Sequence, residues 1–267
     1  MSSLAAVSTL SRRRLALTAR TPRQILVPLL TPVLFALVIA PALQTALGGL
    51  GAKIDYTAFV AVGTVGLLVP LTSIFAGLGV IVDRDSGAQR ELLAAPVPRG
   101  LLVVGNLLVA LAVSALQIAV LIAVSVARGA TFDVSYSGVL WFAAAAVLFA
   151  VFMYGVAETL ASRMPQQEEY IAATPAIAVL PWFFAGALFP IAALPGALTA
   201  FAKFLPITHA LAVMRYGLLG DGGAGLHDIW GSGDPTAQAF LSLAVVAVFA
   251  AAFTAIAIRS FSRAALR

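Results

Sequence analysis

Six long stretches of this chain contain no charged side chain, and they constrain its fold more than any other feature. The stretches lie between Arg23 and Lys53, Asp55 and Asp83, Arg99 and Arg128, Asp133 and Glu158, Glu169 and Lys203, and Asp234 and Arg259. Each is about 24 residues or longer. A helix rises about 1.5 Å per residue and needs about 20 apolar residues to cross a hydrocarbon core about 30 Å thick. The sequence therefore predicts six transmembrane helices.

The composition excludes a soluble fold. Of 267 residues, 61% are hydrophobic and 10% are charged, whereas a soluble domain carries about 25% charged residues. The chain has no cysteine, which excludes disulfides, zinc–thiolate sites and cysteine nucleophiles. The net charge of +5 indicates basic loops that face anionic lipid, and we expect no nucleic-acid partner. The predicted fold class is all-α, a polytopic membrane protein.

The distribution of basic residues predicts the orientation of these helices. If the N-terminus is cytoplasmic, only four of the 16 Lys and Arg residues fall outside, namely Lys53, Arg128, Lys203 and Arg215. We therefore expect a multi-pass protein of the plasma (inner) membrane with both termini in the cytoplasm. Residues 1–21 are a basic segment, either an amphipathic helix on the membrane surface or a disordered tail. Residues 22–267 are expected to form the transmembrane domain.

Prolines interrupt the apolar sequence between helices five and six, at Pro181, Pro190, Pro195 and Pro206. Non-helical backbone at membrane depth is tolerated only where protein or a water-filled cavity satisfies its polar groups. Helix five, which starts near Tyr170, is therefore expected to end near Phe189. Residues 190–234 are expected to form a re-entrant outer segment with two short helices, at about 194–204 and 208–219.

The loop after helix two, residues 83–100, is longer and more charged than a simple connection requires. Asp85 or Ser86 can cap the start of a short helix, and Pro96 can stop it. Leu92 and Leu93 offer apolar contact among the charged residues Arg84, Arg90, Glu91 and Arg99. This composition is typical of a helix that sits in a groove of a soluble partner.

The loop resembles the coupling loop of the ABC-2 family of ABC-exporter permeases, which includes daunorubicin-resistance-type and lipid exporters. The matching residues are Asp83, Arg84, Asp85, Gly87, Leu92, Leu93, Pro96 and Arg99. The sequence departs from the family pattern at Arg90-Glu91, where the usual charge order is reversed. The run from Leu180 to Pro190, with the Leu-Pro pairs that follow it, is similar to the family's helix-five signature.

This resemblance implies a two-protein machine. The chain has no Gly-x-x-x-x-Gly-Lys-Ser/Thr phosphate loop, so we expect no catalytic residue, cofactor or metal on it. ATP and Mg²⁺ would be bound by a separate ABC ATPase subunit. The residues expected to couple to that subunit are Asp83, Arg84, Asp85, Gly87, Arg90, Glu91, Leu92, Leu93, Pro96 and Arg99. A second permease chain would complete a homodimer or heterodimer, with the pathway between the chains lined mainly by helices two and five.

The implied cargo is a hydrophobic or amphiphilic drug or lipid, and Phe183, Phe184 and Phe189 are candidates to contact it, or else to pack at the dimer seam. Glu158, about one turn from the end of helix four, is expected to snorkel or to cap that helix. Two other functions stay open. A secondary transporter driven by an ion gradient is disfavoured by the lack of acids at mid-span. For a non-transporting scaffold, the loop would serve only as a docking site.

Overall fold

The computed structural model describes residues 3–48, 55–94, 97–220 and 225–264, and within these ranges it contains helices and loops without any β-strand. In chain order, α1 to α13 are Ser3–Arg20, Arg23–Leu34, Ala40–Gly48, Tyr56–Asp85, Ala88–Ala94, Arg99–Ala127, Tyr136–Ala161, Gln167–Ala172, Leu180–Phe184, Gly196–Ala202, Pro206–Leu219, Leu226–Trp230 and Pro235–Ala264. Short π-helical turns at Phe35–Ile39 and Pro175–Val179 and a 3-10 turn at Ile191–Ala193 complete the helical elements.

The predicted all-α polytopic membrane fold is confirmed. Among the described residues, five helical runs are long and apolar enough to cross a membrane, and a sixth is counted if α10 and α11 form one bent span. The first of these runs, Ile25–Ala46, joins α2, the first π-turn and α3. Each of the five long runs falls inside one of the charge-free stretches or extends from it by a few residues, whereas the bent pair α10 and α11 extends past Lys203 and includes Arg215.

Helix α4 forms the centre of the bundle. Its first turn is capped by Asp55, whose carboxylate accepts hydrogen bonds from the amides of Thr57 (2.9 Å) and Ala58 (3.2 Å), as expected of an aspartate at this position. From Tyr56 to Pro70 every residue of α4 is buried, because α2, α3, α6, α7 and α11 surround it. The first half of this helix therefore has no face open to lipid or to a pathway in this conformation.

Two glycines of α4 allow close packing by the following segments. A Cβ atom at Gly63 would overlap the carbonyl oxygen of Ala187, and one at Gly66 would press against Trp182 at 3.3 Å. The Trp182 ring belongs to α9, and its Nε1 donates to the Gly63 carbonyl oxygen at 2.8 Å. The absence of side chains at these positions lets α9 and the loop after it lie directly on α4.

The predicted fifth helix differs from the expectation. It consists of α8, the second π-turn and α9, and it ends at Phe184 rather than near Phe189. Pro175 and Pro181 lack the amide that an α-helical interior uses for its hydrogen bonds, and Pro175 begins the π-turn. For this reason none of the five long helices lies between α7 and α13.

Two short helices occur where the sequence predicts a re-entrant segment. Helices α10 and α11 meet at 80°, and α11 is buried almost throughout by α4, α7 and α13. Gly138 of α7 and Gly217 of α11 face each other so closely that a Cβ atom on either would overlap the carbonyl oxygen of the other. The segment is thus part of the bundle core at this end, not a peripheral loop.

The basic N-terminal segment forms helix α1, which packs against α6. The buried residues of α1 are Ala6 and Arg14, whereas Leu15 and Leu17 are 50% and 38% exposed. Leu10 and Ser11 meet Gly105 of α6, and the Ser11 hydroxyl donates to its carbonyl oxygen at 3.2 Å, while Arg14 contacts α4. The position of α1 on a membrane surface stays a prediction.

Candidate functional site

The loop at residues 83–100 contains a short helix, as the sequence predicts. Asp83 to Asp85 are the last residues of α4, and α5 then runs from Ala88 to Ala94. Between the two helices Gly87 has φ +80°, a backbone conformation that glycine adopts without the cost a side chain would bring. Helix α6 begins at Arg99, and Pro96, the predicted stop, lies outside the described residues.

The predicted caps of α5 act at the end of α4 instead. The Ser86 hydroxyl donates to the Asp83 carbonyl oxygen at 3.3 Å. The Asp85 carboxylate accepts from Arg84 Nε and from Gln167 Nε2, each at 3.4 Å. Because Gln167 is the first residue of α8, Asp85 ties the start of the loop to the fifth helical segment.

Asp83 attaches the loop to α1. Its two carboxylate oxygens accept from Arg13 at 3.4 Å and from Arg14 at 3.2 Å. Arg14 also donates to the carbonyl oxygens of Ala76 at 2.9 Å and Gly79 at 3.3 Å. A Cβ atom at residue 79 would overlap the Arg14 guanidinium, so the glycine makes room for this contact. The Arg14–Asp83 pair joins α1 to the last turns of α4.

Arg84 attaches the loop to the end of α7. Its guanidinium donates to the carbonyl oxygens of Ala161 (3.3 Å), Met164 (3.1 Å) and Pro165 (2.8 Å). The last carbonyl groups of a helix lack partners within it and carry partial negative charge. The guanidinium is therefore well placed to bind them, and Arg84 anchors the end of α4 to the end of α7.

Arg99 attaches the other end of the loop to α13, because its Nη1 donates to the Ser262 carbonyl oxygen at 2.9 Å. Asp83, Arg84, Asp85 and Arg99 thus bind α1, α7, α8 and α13. The sequence predicted these four charged residues as contacts for a partner, whereas the structure uses them within the chain. Only their role in coupling remains a prediction.

Helix α5 itself presents the remaining charged residues outward. Arg90 and Glu91 are exposed, and Leu92 and Leu93 are half-buried and pack against the core of the bundle. The two leucines therefore seat α5 on the bundle as well as offering part of their surface to a partner. The reversed charge pair at 90–91 is therefore open to contact.

The three phenylalanines predicted to line a pathway do not come together. Phe183 is 46% exposed and Phe189 is 36% exposed, while Phe184 is half-buried and stacks edge-on against Phe201 of α10 with ring centroids 5.8 Å apart. The two exposed rings could contact cargo or a second chain. Phe184 packs within its own chain.

The sequence did not reveal that one arginine is buried at the end of the bundle opposite the loop at 83–100. Arg215 of α11 is 4% exposed, and it donates to the carbonyl oxygens of Gly186 and Ala187, each at 2.9 Å. Its Cζ atom lies 3.4 Å from the centroid of the Phe59 ring. The arginine thereby fastens the re-entrant helix to α4 and to the loop after α9. Since its partners are carbonyls and a ring face, no charge pattern could have revealed it.

The expectation that Glu158 snorkels or caps is wrong. The residue is fully buried at 0% exposure; α4 packs against α7, and the Tyr170 hydroxyl of α8 donates to the carbonyl oxygen of the preceding residue, Ala157, at 3.4 Å. Its Oε2 accepts from the Tyr154 hydroxyl at 2.8 Å, and its Oε1 has no hydrogen-bond partner among the described residues. A carboxyl group is thus enclosed near the same end of the bundle as the loop at 83–100.

A bundle of membrane-crossing helices, with one short charged helix held by anchors at one end, defines a multi-pass membrane permease. A family model for ABC-2 type transporters matches residues 5–219. The chain therefore belongs to the ABC-2 type transporter family, as its loop and helix-five motifs indicated. The match runs from α1 to the end of α11. No curated protein matches the chain.

Proposed function

We propose that this membrane permease component of an ABC-type exporter moves a hydrophobic or amphiphilic substrate, a drug or a lipid, out across the plasma membrane. ATP and Mg²⁺ bind to a separate nucleotide-binding subunit, whose hydrolysis drives the movement. Membership of the ABC-2 family supports partnership with an ABC ATPase in general. The similarity of the loop to daunorubicin-resistance-type permeases favours that subgroup. Both termini and α5 lie in the cytoplasm, as the distribution of basic residues favours.

The observation that carries the proposal is the way α5 is held. Arg90 and Glu91 are exposed, while the residues on either side of α5 are bound to four other helices. A helix held in this way passes any displacement to its anchors. A push on α5 would reach α1 through Asp83, the end of α7 through Arg84 and the end of α13 through Arg99.

Apolar surface in the outer half of the bundle supports a hydrophobic cargo. An open groove of about 580 Å³ lies between α6 and α7, and Ser114 is the one polar residue among its lining side chains. Phe183 and Phe189 expose further apolar surface. Two copies of this chain, or this chain and a similar permease, enclose the pathway between them. Because α4 is enclosed from Tyr56 to Pro70, its participation requires the bundle to open there.

Charge reversal on α5 tests the coupling role. In the complex of this chain with its ATPase subunit, Glu91→Arg is expected to reduce ATP-driven export about tenfold or more, a loss within the range of typical coupling energies. The unfolding temperature of the Glu91→Arg chain should equal that of the wild type, because the Glu91 side chain is exposed. The matched control is Asp133→Arg, which reverses an exposed acid at the opposite end of the bundle and should leave export unchanged.

Three results would contradict this proposal. Export that is equally fast in the Glu91→Arg complex would show that α5 does not transmit the ATPase cycle. Transport by the chain in the absence of any ATPase subunit would instead favour the ion-gradient transporter, and an ATPase-independent complex with a soluble partner would favour the scaffold.

A further inference from the structure

One buried carboxyl group, that of Glu158, has no cationic partner among the residues that the structure describes. Glu158 is 0% exposed, its Oε2 accepts from the Tyr154 hydroxyl, and its Oε1 has no hydrogen-bond partner among the described residues. A buried polar group without a partner costs free energy, and a buried charge without one costs more. A buried carboxyl group of this kind is retained where it has a partner in another conformation of the protein, or where no selection acts against it.

A buried cation lies on the same part of α4. Arg14 is 8% exposed and is bound by Asp83 and by the carbonyl oxygens of Ala76 and Gly79. Asp83 sits at the end of α4, directly before the loop that carries α5. Any movement of α5 that displaces the end of α4 therefore changes the position of the carboxylate that neutralises Arg14.

Glu158 lies beside the same turns of α4. Tyr170 of α8 fits into the space at Gly77, where a Cβ atom would overlap its hydroxyl and lie 3.1 Å from the Ala157 carbonyl oxygen. Residue 77 is thus adjacent both to the Arg14 contacts at residues 76 and 79 and to the residue preceding Glu158.

We propose that Asp83 and Glu158 are alternative acceptors for the Arg14 guanidinium, and that helix α1 moves between two positions on the bundle as Arg14 passes from one to the other. In the conformation described here Arg14 is paired with Asp83, and Glu158 is paired only with Tyr154. When α5 draws Asp83 away, the free Oε1 of Glu158 takes the guanidinium, which would otherwise be left buried without a counter-charge. Glu158 is in this sense a positioning residue.

This inference depends on the proposed coupling function in one respect, the force that moves α5. The competition of two acidic residues for one arginine does not depend on it. Replacing each acid by its amide should therefore displace α1 in opposite senses. Asp83→Asn should send Arg14 to Glu158 and shift α1 without any nucleotide. Glu158→Gln should hold α1 at Asp83 in every state.

The absence of cysteine makes a distance measurement straightforward. Spin labels are placed on cysteines introduced at Leu17 of α1 and at Arg163 beyond α7, both exposed, and the distance between them is measured by pulsed electron paramagnetic resonance. In the full chain alone, in lipid nanodiscs, Asp83→Asn is expected to change this distance by about 2–5 Å, the size of known helix shifts. Glu158→Gln should give the wild-type distance.

In the complex with the ATPase subunit, trapping with ATP and vanadate should produce the same shift in the wild type and none in Glu158→Gln. Tyr154→Phe is the matched control, since it removes the hydrogen bond but keeps the carboxyl, and it should retain the shift. Glu158→Gln should also reduce export about 5- to 150-fold without lowering the unfolding temperature, which separates this role from a purely structural one.

The proposal is overturned if Asp83→Asn leaves the distance in the isolated chain unchanged, or if Glu158→Gln exports as fast as the wild type. Failure of the proposed function gives a different pattern. In that case no ATPase subunit binds or α5 substitutions leave export intact, whereas the opposite effects of the two amide variants on α1 in the isolated chain would persist.

Discussion

Substitution of Arg84 distinguishes residues that anchor the loop at 83–100 from residues that offer a contact surface. Replacement by alanine removes three hydrogen bonds to the carbonyl oxygens of Ala161, Met164 and Pro165. A typical intramolecular hydrogen bond contributes about 0.5–1.5 kcal/mol net, and one to a charged group contributes more. The Arg84 side chain is 33% exposed, so water can partly replace it and the lower range applies. The three bonds together then contribute about 2–4 kcal/mol.

For a protein of this size a loss of 1 kcal/mol lowers the unfolding temperature by about 2–4 °C. Arg84→Ala should therefore lower it by roughly 4–16 °C, as measured by intrinsic fluorescence during heating in detergent micelles. Arg90→Ala is the matched control, because Arg90 is an exposed arginine six residues further along the chain. An exposed substitution of this kind should change stability by less than about 0.5 kcal/mol.

The reasoning is refuted if the two alanine variants unfold at the same temperature. That result would mean that Arg84 contributes no more than an exposed residue, and that the loop is not fixed to α7. The outcome also changes how a transport defect is interpreted. A loss of export in Arg84→Ala could come from a loosened bundle, whereas a loss in Glu91→Arg could not.

Two further substitutions test the end of the bundle opposite the loop at 83–100. Arg215→Gln should lower the free energy of unfolding by about 2–4 kcal/mol, because it removes a charged donor from the buried carbonyl groups of Gly186 and Ala187. Thermal unfolding measures this loss. An unchanged unfolding temperature would show that Arg215 does not anchor α11. Partial burial raises the pKa of Asp55. Hydrogen bonds from the hydroxyl and amide of Thr131 and from two amides at the start of α4 have the larger, opposite effect, and the pKa lies below its ordinary value of 3.8. Because the folded-state pKa is lowered, the stabilisation by Asp55 is present above the ordinary pKa and is lost as the pH falls through the folded-state value. The difference in unfolding temperature between the wild type and Asp55→Asn should accordingly shrink below pH 3.8, and a difference independent of pH would contradict this.

The spans of this fold could be read from the sequence because the cost of charge in a hydrocarbon core is large and local. The windows without charge predicted the long helices closely, and proline predicted the break before α10. The fifth helix was harder. Pro175 and Pro181 could have been accommodated by a kinked continuous helix or by the π-turn and early end that the structure shows, and sequence alone does not distinguish these.

The anchors of the loop could not be predicted, since their partners are distant along the chain or belong to the backbone. Arg14 reaches Asp83 across 69 residues. Within the described part of the chain, Arg84 binds backbone carbonyls and its neighbour Asp85. The charged residues of the loop therefore include anchors, which hold α5 in place, and exposed residues such as Arg90 and Glu91. The sequence alone does not distinguish the two groups.

The same limit applies to the buried polar groups. Glu158 and Arg215 lie near the ends of apolar segments, where a side chain can reach water if nothing covers it. Whether it does depends on which helices pack over that face. For Glu158 the covering helix α8 follows directly in the chain, yet its position is set by Tyr170 fitting against Gly77, a contact between small and large residues that hydropathy does not express.

The central claim is that α5 is gripped on the cytoplasmic side by a nucleotide-hydrolysing subunit. Site-specific photo-crosslinking from residue 91 in intact cells tests it most directly, with residue 133 as the control position. We expect residue 91 to cross-link to an ABC ATPase subunit, with a yield that changes on ATP binding, and residue 133 to give no such product. A residue 91 that reacts only with membrane-impermeant reagents from outside, or that cross-links to no ATPase, would contradict the account.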